Sequence, residues 1–245
     1  MDPTDVKLIM FDLDNTLRPS MTLGVKGAKP WAFAKAVVDF HPKFEGKEDE
    51  IENIYLQTTG LNRIVQLRET EKLLSADFEI SKNLEREWSN TFSSYIDEKS
   101  IPLYKDVNET ISILKKRGYL LTVGSSVPQE NLEEVLEIYP NLKSNLDLTL
   151  GNQKWNKREG ETANFVKGVP YISFACGKFN LKPQQIAYEG DAVEDIRSGN
   201  EAGVYTIAKV NKDMPEIKVK LEAENPDLII YNNSELLPIF TGPQV

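Results

Sequence analysis

Residues 6–17 read VKLIMFDLDNTL, and this stretch decides the fold class. A nearly unbroken apolar run rich in strand formers is typical of a parallel strand that helices cover on both faces. Asp12 and Asp14 follow the run, and side chains two residues apart in an extended chain share a face. The stretch therefore predicts two carboxylates at the carboxyl end of a central strand, where their repulsion raises a pKa or requires a cation. An Asp-Asn turn at a strand end is the purely structural alternative.

Strand-like and helical patterns alternate after residue 103. The strand-like runs are 119–123, 146–150, 186–189, 204–210 and 227–231, with helical patterns between most of them. Asp106 and Glu109 have the spacing of a capping box, which predicts the start of the first of these helices. Repeated βα units predict an α/β fold with a doubly wound, Rossmann-like parallel sheet.

Residues 18–103 interrupt this alternation. Their apolar residues recur at helical spacing, as in Phe33, Val37 and Phe40 and again in Ile64, Leu67 and Leu74. We therefore predict a core domain of residues 1–17 and 104–245 and an inserted α-helical cap domain of residues 18–103. Because α/β sheets bind ligands at the carboxyl edge of their strands, the insert is predicted to act as a lid there. An inert helical decoration is the alternative.

Composition excludes several classes of protein and partner. The 245 residues carry a net charge of −9 and are 40% hydrophobic, which is ordinary for a globular protein and unlike a disordered or fibrous one. An acidic surface offers no broad attraction to nucleic acid or to anionic lipid, so neither is an expected partner. One cysteine, Cys176, forms no internal disulfide, and the N-terminus has no signal-peptide core, so we expect a cytoplasmic protein. The oligomeric state stays open.

A second acidic group, GDAVED at 190–195, follows the strand-like run at 186–189. Asp191 and Asp195 are four residues apart, which places them on one helix face if the helix starts at once. Capping of the helix dipole is the alternative role for these carboxylates. Because parallel strands end at one edge of a sheet, this group is predicted to meet Asp12. Converging carboxylates require a hard cation, and oxygen ligands favour Mg²⁺.

A third group, Gly124-Ser125-Ser126, lies between the strand-like run at 119–123 and a helix with Pro128 in its first turn. Hydroxyls and free N–H groups at a helix start form an anion site. Ser126 is predicted to be the N-cap of that helix, and Ser125 is predicted to contact a ligand.

The ordered set of these motifs resembles the haloacid dehalogenase-like hydrolase superfamily, whose members are mostly phosphatases. The resemblance covers residues 6–17 and 103–231, and GDAVEDIRSGNEAG at 190–203 fits the family pattern closely. The helical insert is similar to the family's cap placed after the first motif. The resemblance does not identify the substrate. The class of substrate that we expect is a small phosphorylated metabolite.

The resemblance implies a role for each motif residue. Asp12 attacks phosphorus to give an aspartyl-phosphate, and Asp14 protonates the leaving oxygen and later deprotonates water. The metal ligands implied are Asp12, the backbone carbonyl of Asp14, and Asp191, with Asp195 a ligand or a partner of one. A carboxylate approaching a phosphate dianion meets a repulsion of about 8 kcal/mol at ~4 Å and an effective dielectric of ~20, so Mg²⁺ and a lysine are required.

The family's substrate-binding residues fall on Ser125, Ser126 and a lysine. Counting back from the Leu181-Lys182-Pro183 stretch places that lysine at Lys167, where Gly168 replaces the usual following proline; Lys178 is the alternative. Together these assignments predict a Mg²⁺-dependent phosphatase of small phosphate monoesters. A phosphomutase is the main rival; a dehalogenase and a catalytically silent binding protein are weaker ones.

Several polar residues depart from the family pattern or lack a role. Glu189 stands where the family commonly has an apolar residue, and it either tunes the metal site or faces solvent. Arg18, Lys26 and Lys29 either contact the anionic part of a substrate or are solvated. The polar stretch at 151–162 is predicted to be a surface loop, and contact with the substrate is the alternative.

Overall fold

The structure is a computed structural model that describes residues 2–57, 70, 72, 82–158, 161–211 and 215–242. The chain divides into two compact units. The first comprises Met1–Arg18 and Leu103–Val245, and the second comprises Pro19–Pro102. The predicted domain boundaries lie at 17/18 and 103/104. Among the described residues, no helix is long and apolar enough to cross a membrane.

A seven-stranded sheet forms the centre of the first unit. The strands are β1 (Leu8–Asp12), β2 (Leu120–Pro128), β3 (Leu148–Arg158), β4 (Glu161–Phe165), β5 (Ile186–Gly190), β6 (Tyr205–Lys209) and β7 (Leu228–Ile230). Their order is β4-β3-β2-β1-β5-β6-β7, with every neighbouring pair parallel except β3 and β4. The predicted α/β, Rossmann-like parallel sheet is confirmed, and β1 is its central strand.

Helices cover both faces of this sheet, which explains the apolar run in β1. The helices of the first unit are α4 (Val107–Lys116), α5 (Gln129–Glu137), α6 (Pro140–Lys143), α7 (Val169–Phe179), α8 (Val193–Ala202) and α9 (Pro215–Ala223). Ile9 and Phe11 pack into a core on one face with residues of α4, α5 and α6. Leu8 and Met10 pack into a core on the other face with residues of α7. Successive residues of β1 are therefore all buried, as both cores require.

Two local predictions in this unit are wrong. Residues 151–158 continue β3, and β4 pairs with them in antiparallel register, so the predicted surface loop is largely a strand pair. The capping box at the start of α4 does not form, because the Asp106 side chain makes no cap hydrogen bond. Its Oδ2 accepts a hydrogen bond from the backbone N–H of Ser234 instead, at 2.8 Å. A tertiary contact thus takes the place of the local one.

The described part of the second unit contains helices and no strand. Its α-helices are α1 (Lys29–Phe40), α2 (Glu48–Gln57) and α3 (Lys82–Tyr95). They share an apolar core in which the ring of Phe33 lies 4.8 Å from that of Tyr55 and 5.9 Å from that of Phe92. The predicted helical residues Ile64, Leu67 and Leu74 lie outside the described residues.

Candidate active site

Asp12 is the last residue of β1 and lies at the carboxyl edge of the sheet's centre. Its Cα pairs with that of Gly124 on β2, and β5 flanks β1 on the other side. The Asp12 side chain is buried, with 4% of the residue exposed. The central strand therefore delivers a carboxylate into a space that solvent scarcely reaches.

A tight turn over residues 13–18 follows β1. The backbone N–H groups of Leu17 and Arg18 both donate to the carbonyl of Leu13, and that of Asn15 donates to the carbonyl of Arg18. Asn15 has a φ of 59°, in the left-handed region that asparagine tolerates better than most residues. Its Nδ2 donates to Asp191 Oδ2 at 3.1 Å, so the turn after β1 contacts the second acidic group.

Asp14 does not join the cluster of carboxylates that contains Asp12. Its Oδ1 lies 2.8 Å from Nε and 2.7 Å from Nη2 of Arg18. Arg18 is only 2% exposed, so the alternative that it is a solvated surface residue is wrong. Lys26 is exposed and Lys29 is half-buried in the second unit.

Asp191 and Asp195 come from the junction of β5 and α8. Asp191 precedes α8, which begins at Val193, so the two residues do not share a helix face as predicted. They meet because Asp195, the third residue of α8, turns back to the strand end, where its Oδ2 accepts from Ala192 N–H at 3.3 Å. Gly190 makes this approach possible, since a Cβ there would lie 2.4 Å from Asp195 Cβ. Tyr188 donates to Asp195 Oδ1 at 2.8 Å.

Lys167 links the two acidic groups. Its Nζ lies 2.5 Å from Asp12 Oδ1 and 2.8 Å from Asp195 Oδ1. Burial by itself lowers the pKa of Lys167, but the charges of Asp12 and Asp195 outweigh it and hold that pKa well above its ordinary value. The alternative, Lys178, is exposed near the end of α7. Gly168 has a φ of 113°, which proline cannot adopt, and this explains why the usual proline is absent there.

The carboxylates of Asp12, Asp191 and Asp195 form a cluster that could hold a metal ion. One ligand oxygen from each lies within 4.8 Å of the others. Burial raises the pKa of Asp12 to about 7, and the charges of Asp195 and Asp14 add to this effect against that of Lys167. Burial and the charge of Asp12 also hold the pKa of Asp191 well above its ordinary value.

The donor set of this cluster fits a divalent cation. When all three carboxylates are ionised, they and the Lys167 ammonium carry a net charge of −2, which a divalent ion balances. The ligand atoms are all oxygen, the type that Mg²⁺ prefers, and octahedral oxygens about 2.1 Å from such an ion lie roughly 3–4 Å apart. A bound cation would stabilise the ionised carboxylates of Asp12 and Asp191 against the burial and mutual repulsion that raise their pKa values.

Ser125 and Ser126 differ in environment. Ser125 is buried, and its Oγ accepts from the backbone N–H of Val127 at 3.4 Å. Ser126 is exposed, and β2 continues past it to Pro128, so α5 begins only at Gln129. The predicted N-cap role of Ser126 is therefore wrong.

Sequence reasoning missed Asn152, which joins the serines to the lysine. Its Oδ1 accepts from Lys167 N–H at 3.0 Å and lies 2.8 Å from the hydroxyl of Tyr171. Its Nδ2 donates to the Ser126 carbonyl at 2.7 Å, and the Tyr171 hydroxyl lies 3.1 Å from the Ser125 carbonyl. The signal available in the sequence was the position of Asn152, a polar residue shortly after the predicted strand at 146–150.

Glu189 is fully buried, so the solvent-facing alternative is wrong. Its Oε1 accepts from Asn233 Nδ2 at 2.9 Å, and Lys209 Nζ donates to Asn233 Oδ1 at 2.8 Å. Burial raises the pKa of Glu189 to about 8, against the effect of Lys209 and with added effects of Asp106 and Asp12. Asn233 also donates to the Thr16 carbonyl at 3.2 Å, which ties this network to the turn after β1.

Comparison with known proteins places these motifs in a family context. Residues 9–209 match the family model described as haloacid dehalogenase-like hydrolase. The chain is 27% identical to a phosphoglycolate phosphatase of Haemophilus influenzae strain Rd, over 96% of this chain and 99% of that protein. It is 23% identical to the pyrophosphatase PpaX of Bacillus cereus strain G9842, over 97% of both. A crystal structure of a predicted phosphoglycolate phosphatase from Haemophilus somnus 129PT superposes with a TM-score of 0.72 at 23% identity, covering 96% of this chain and 98% of that one.

Proposed function

The chain belongs to the haloacid dehalogenase-like hydrolases, and from that membership we propose that it is a Mg²⁺-dependent phosphatase of a small phosphate monoester. The observation that carries the proposal is the buried cluster of Asp12, Asp191 and Asp195, with Lys167 between two of its members. The similarity to proteins named phosphoglycolate phosphatase and pyrophosphatase supports phosphoryl chemistry.

In the proposed reaction, Asp12 is the nucleophile and Asp14 transfers protons. An Asp12 oxygen attacks phosphorus, the bond from phosphorus to the ester oxygen breaks, and a proton from Asp14 passes to that leaving oxygen. Water then attacks the phosphorus of the aspartyl-phosphate and gives a proton back to Asp14, which frees Asp12 and inorganic phosphate. The Asp14 carboxylate lies in the turn that follows Asp12 and is in contact with the Arg18 guanidinium.

The remaining site residues are proposed to bind the metal ion and the phosphoryl group. Asp12, Asp191, Asp195 and the Asp14 carbonyl are the proposed ligands of Mg²⁺, which when bound supplies positive charge against the phosphate dianion. Lys167 would bind phosphoryl oxygens together with Ser125, and Asn152 fixes the backbone of both segments. Electrostatic stabilisation by such fixed groups is usually the largest part of phosphoryl-transfer catalysis.

We keep three sequence-based expectations as proposals. The helical unit at 19–102 acts as a cap domain that controls access and chooses the leaving group. The substrate is a free phosphorylated metabolite, since a net charge of −9 disfavours nucleic acid and anionic membranes as partners. The protein works in the cytoplasm, for which the single cysteine is the supporting observation.

Hydrolysis of 4-nitrophenyl phosphate, with Mg²⁺ and with EDTA, tests the proposal directly. We expect activity only with the metal, no turnover by Asp12→Asn, and a strong loss in Asp14→Asn. A panel of phosphorylated metabolites, assayed for inorganic phosphate, then identifies the substrate class. Undiminished hydrolysis by Asp12→Asn would overturn the nucleophile assignment. Transfer of phosphate to another hydroxyl without release to water would favour a phosphomutase, and halide release without Mg²⁺ would favour a dehalogenase.

A further inference from the structure

Arg18 is among the largest fully buried side chains of the described residues and makes a direct contact with Asp14. Its Nε and Nη2 both point to one oxygen, Asp14 Oδ1, at 2.8 and 2.7 Å. The residue lies at the end of the first unit, directly before Pro19 begins the second. A buried guanidinium is unfavourable without a carboxylate partner, so the two side chains are strongly coupled.

The turn that holds this pair closes without the side chain of Arg18. Its backbone is fixed by the bonds from Leu17 and Arg18 to the Leu13 carbonyl and from Asn15 to the Arg18 carbonyl. The backbone N–H of Tyr104 donates to the Leu17 carbonyl and Asn233 donates to that of Thr16, so the turn is held from two further sides. A long buried cation is therefore not needed to shape the loop.

The contact does have a consequence for the orientation of the Asp14 carboxylate. Two donors on one oxygen restrict rotation about the bond from Cβ to Cγ, and this determines the direction of the other oxygen. Arg is suited to such a task because its planar donors have fixed mutual geometry, whereas the Lys ammonium is a point charge on a flexible stem.

We propose that Arg18 is a positioning residue that orients Asp14 for proton transfer to the leaving oxygen, an inference that rests on the proposed phosphatase function. As the bond from Asp12 to phosphorus forms and the bond to the leaving oxygen breaks, the Asp14 proton moves to that oxygen. A weakly basic leaving group departs without this proton, but a strongly basic alkoxide does not. The contribution of Arg18 therefore grows with the basicity of the leaving group.

The test compares Arg18→Met and Arg18→Lys with the wild type on a series of phosphate esters, from 4-nitrophenyl phosphate through phenyl phosphate to alkyl phosphates, at saturating Mg²⁺. The matched control is Arg117→Met, because Arg117 donates to the backbone carbonyls of Leu237 and Phe240 and touches no site residue in those contacts. Misplacement of an acid typically lowers a rate by about 100-fold.

We expect Arg18→Met to lower kcat/KM by about 100-fold on alkyl phosphates and by less than about 10-fold on 4-nitrophenyl phosphate, mainly through kcat. Arg18→Lys should recover part of the loss, and Arg117→Met should lower the melting temperature without changing the dependence on the leaving group. An equal loss across the series in a folded Arg18→Met protein, or a loss confined to KM, overturns the positioning role. A wild type that hydrolyses no ester overturns the phosphatase function instead.

If the wild type hydrolyses no ester, a double-mutant cycle still tests the contact between Asp14 and Arg18. The unfolding of Asp14→Asn, Arg18→Met and the double variant should be strongly non-additive if the two side chains form a buried pair. Additive effects would overturn the pairing and the positioning role with it.

Discussion

Replacing Asp12 by asparagine should abolish turnover and yet stabilise the metal-free protein. The reason is that ionised Asp12 is unfavourable where it is buried and lies beside the carboxylates of Asp195 and Asp14, and the charge of Lys167 offsets this only in part. An asparagine has a similar shape, carries no charge and keeps an oxygen that can accept from Lys167. The variant therefore removes the repulsion and retains part of the lysine contact.

The size and pH dependence of this effect follow from the pKa of Asp12. A folded-state pKa of about 7 against an ordinary value of 3.8 corresponds to at most about 4 kcal/mol. Between these two pKa values the folded protein binds the proton more tightly than the unfolded one, so wild-type stability falls as the pH rises. The gain in the variant should thus grow from less than about 2 kcal/mol at pH 5 to about 4 kcal/mol at pH 8, with a shift in Tm of about 2–4 °C per kcal/mol.

Thermal unfolding of the metal-free proteins, followed by calorimetry at pH 5 and pH 8, measures this gain. Asp147→Asn is a suitable control, because Asp147 accepts from Lys115 at 2.6 Å and from Leu121 N–H at 2.8 Å. Removing that satisfied carboxylate should destabilise the protein. A metal-free Asp12→Asn protein that is less stable than the wild type at pH 8, or whose gain does not depend on pH, would refute the electrostatic reasoning.

Three further predictions concern the metal and its surroundings. Apparent Mg²⁺ affinity, measured by calorimetric titration, should fall by at least about tenfold from pH 8 to pH 6, because the metal must displace protons from Asp12; a pH-independent affinity would contradict this. Asn15→Gly keeps the left-handed turn but loses the hydrogen bond to Asp191, so Mg²⁺ affinity should fall about 10–100-fold. The control Asn180→Gly, at another left-handed position, should leave Mg²⁺ affinity unchanged. Gly190→Ala places a methyl group 2.4 Å from Asp195 Cβ and should cost about 1–3 kcal/mol in denaturant unfolding; equal stability to the wild type would show that Asp195 can move away.

The parts of the site that sequence reasoning found are those that local patterns encode. The apolar run of β1 places Asp12 at a strand end, and the strand-to-helix junction after β5 places Asp191 and Asp195 at another. Parallel pairing of β1 with β5 then brings these ends to one edge of the sheet. Each step depends on spacing along the chain and on the general behaviour of parallel sheets.

The parts that it missed depend on side-chain contacts over long distances in sequence. Asn152 joins Ser126 to Lys167 because β3 pairs with β2, with a shift of register that sets Asn152 opposite Pro128. The buried carboxyl group of Glu189 accepts a hydrogen bond from Asn233, which lies 44 residues later in the chain. No periodicity in the sequence specifies such pairings, so they became visible only with the fold.

The central claim is that one Asp12 oxygen becomes bonded to phosphorus during turnover. Rapid acid quenching of the wild type with a good substrate and Mg²⁺, followed by borohydride reduction, converts an aspartyl-phosphate to homoserine, and peptide mass spectrometry locates it. We expect homoserine at position 12 in the wild type and none in Asp12→Asn. Release of phosphate with no reducible aspartyl-phosphate under any quench time, or with the modified residue elsewhere in the chain, would contradict the account.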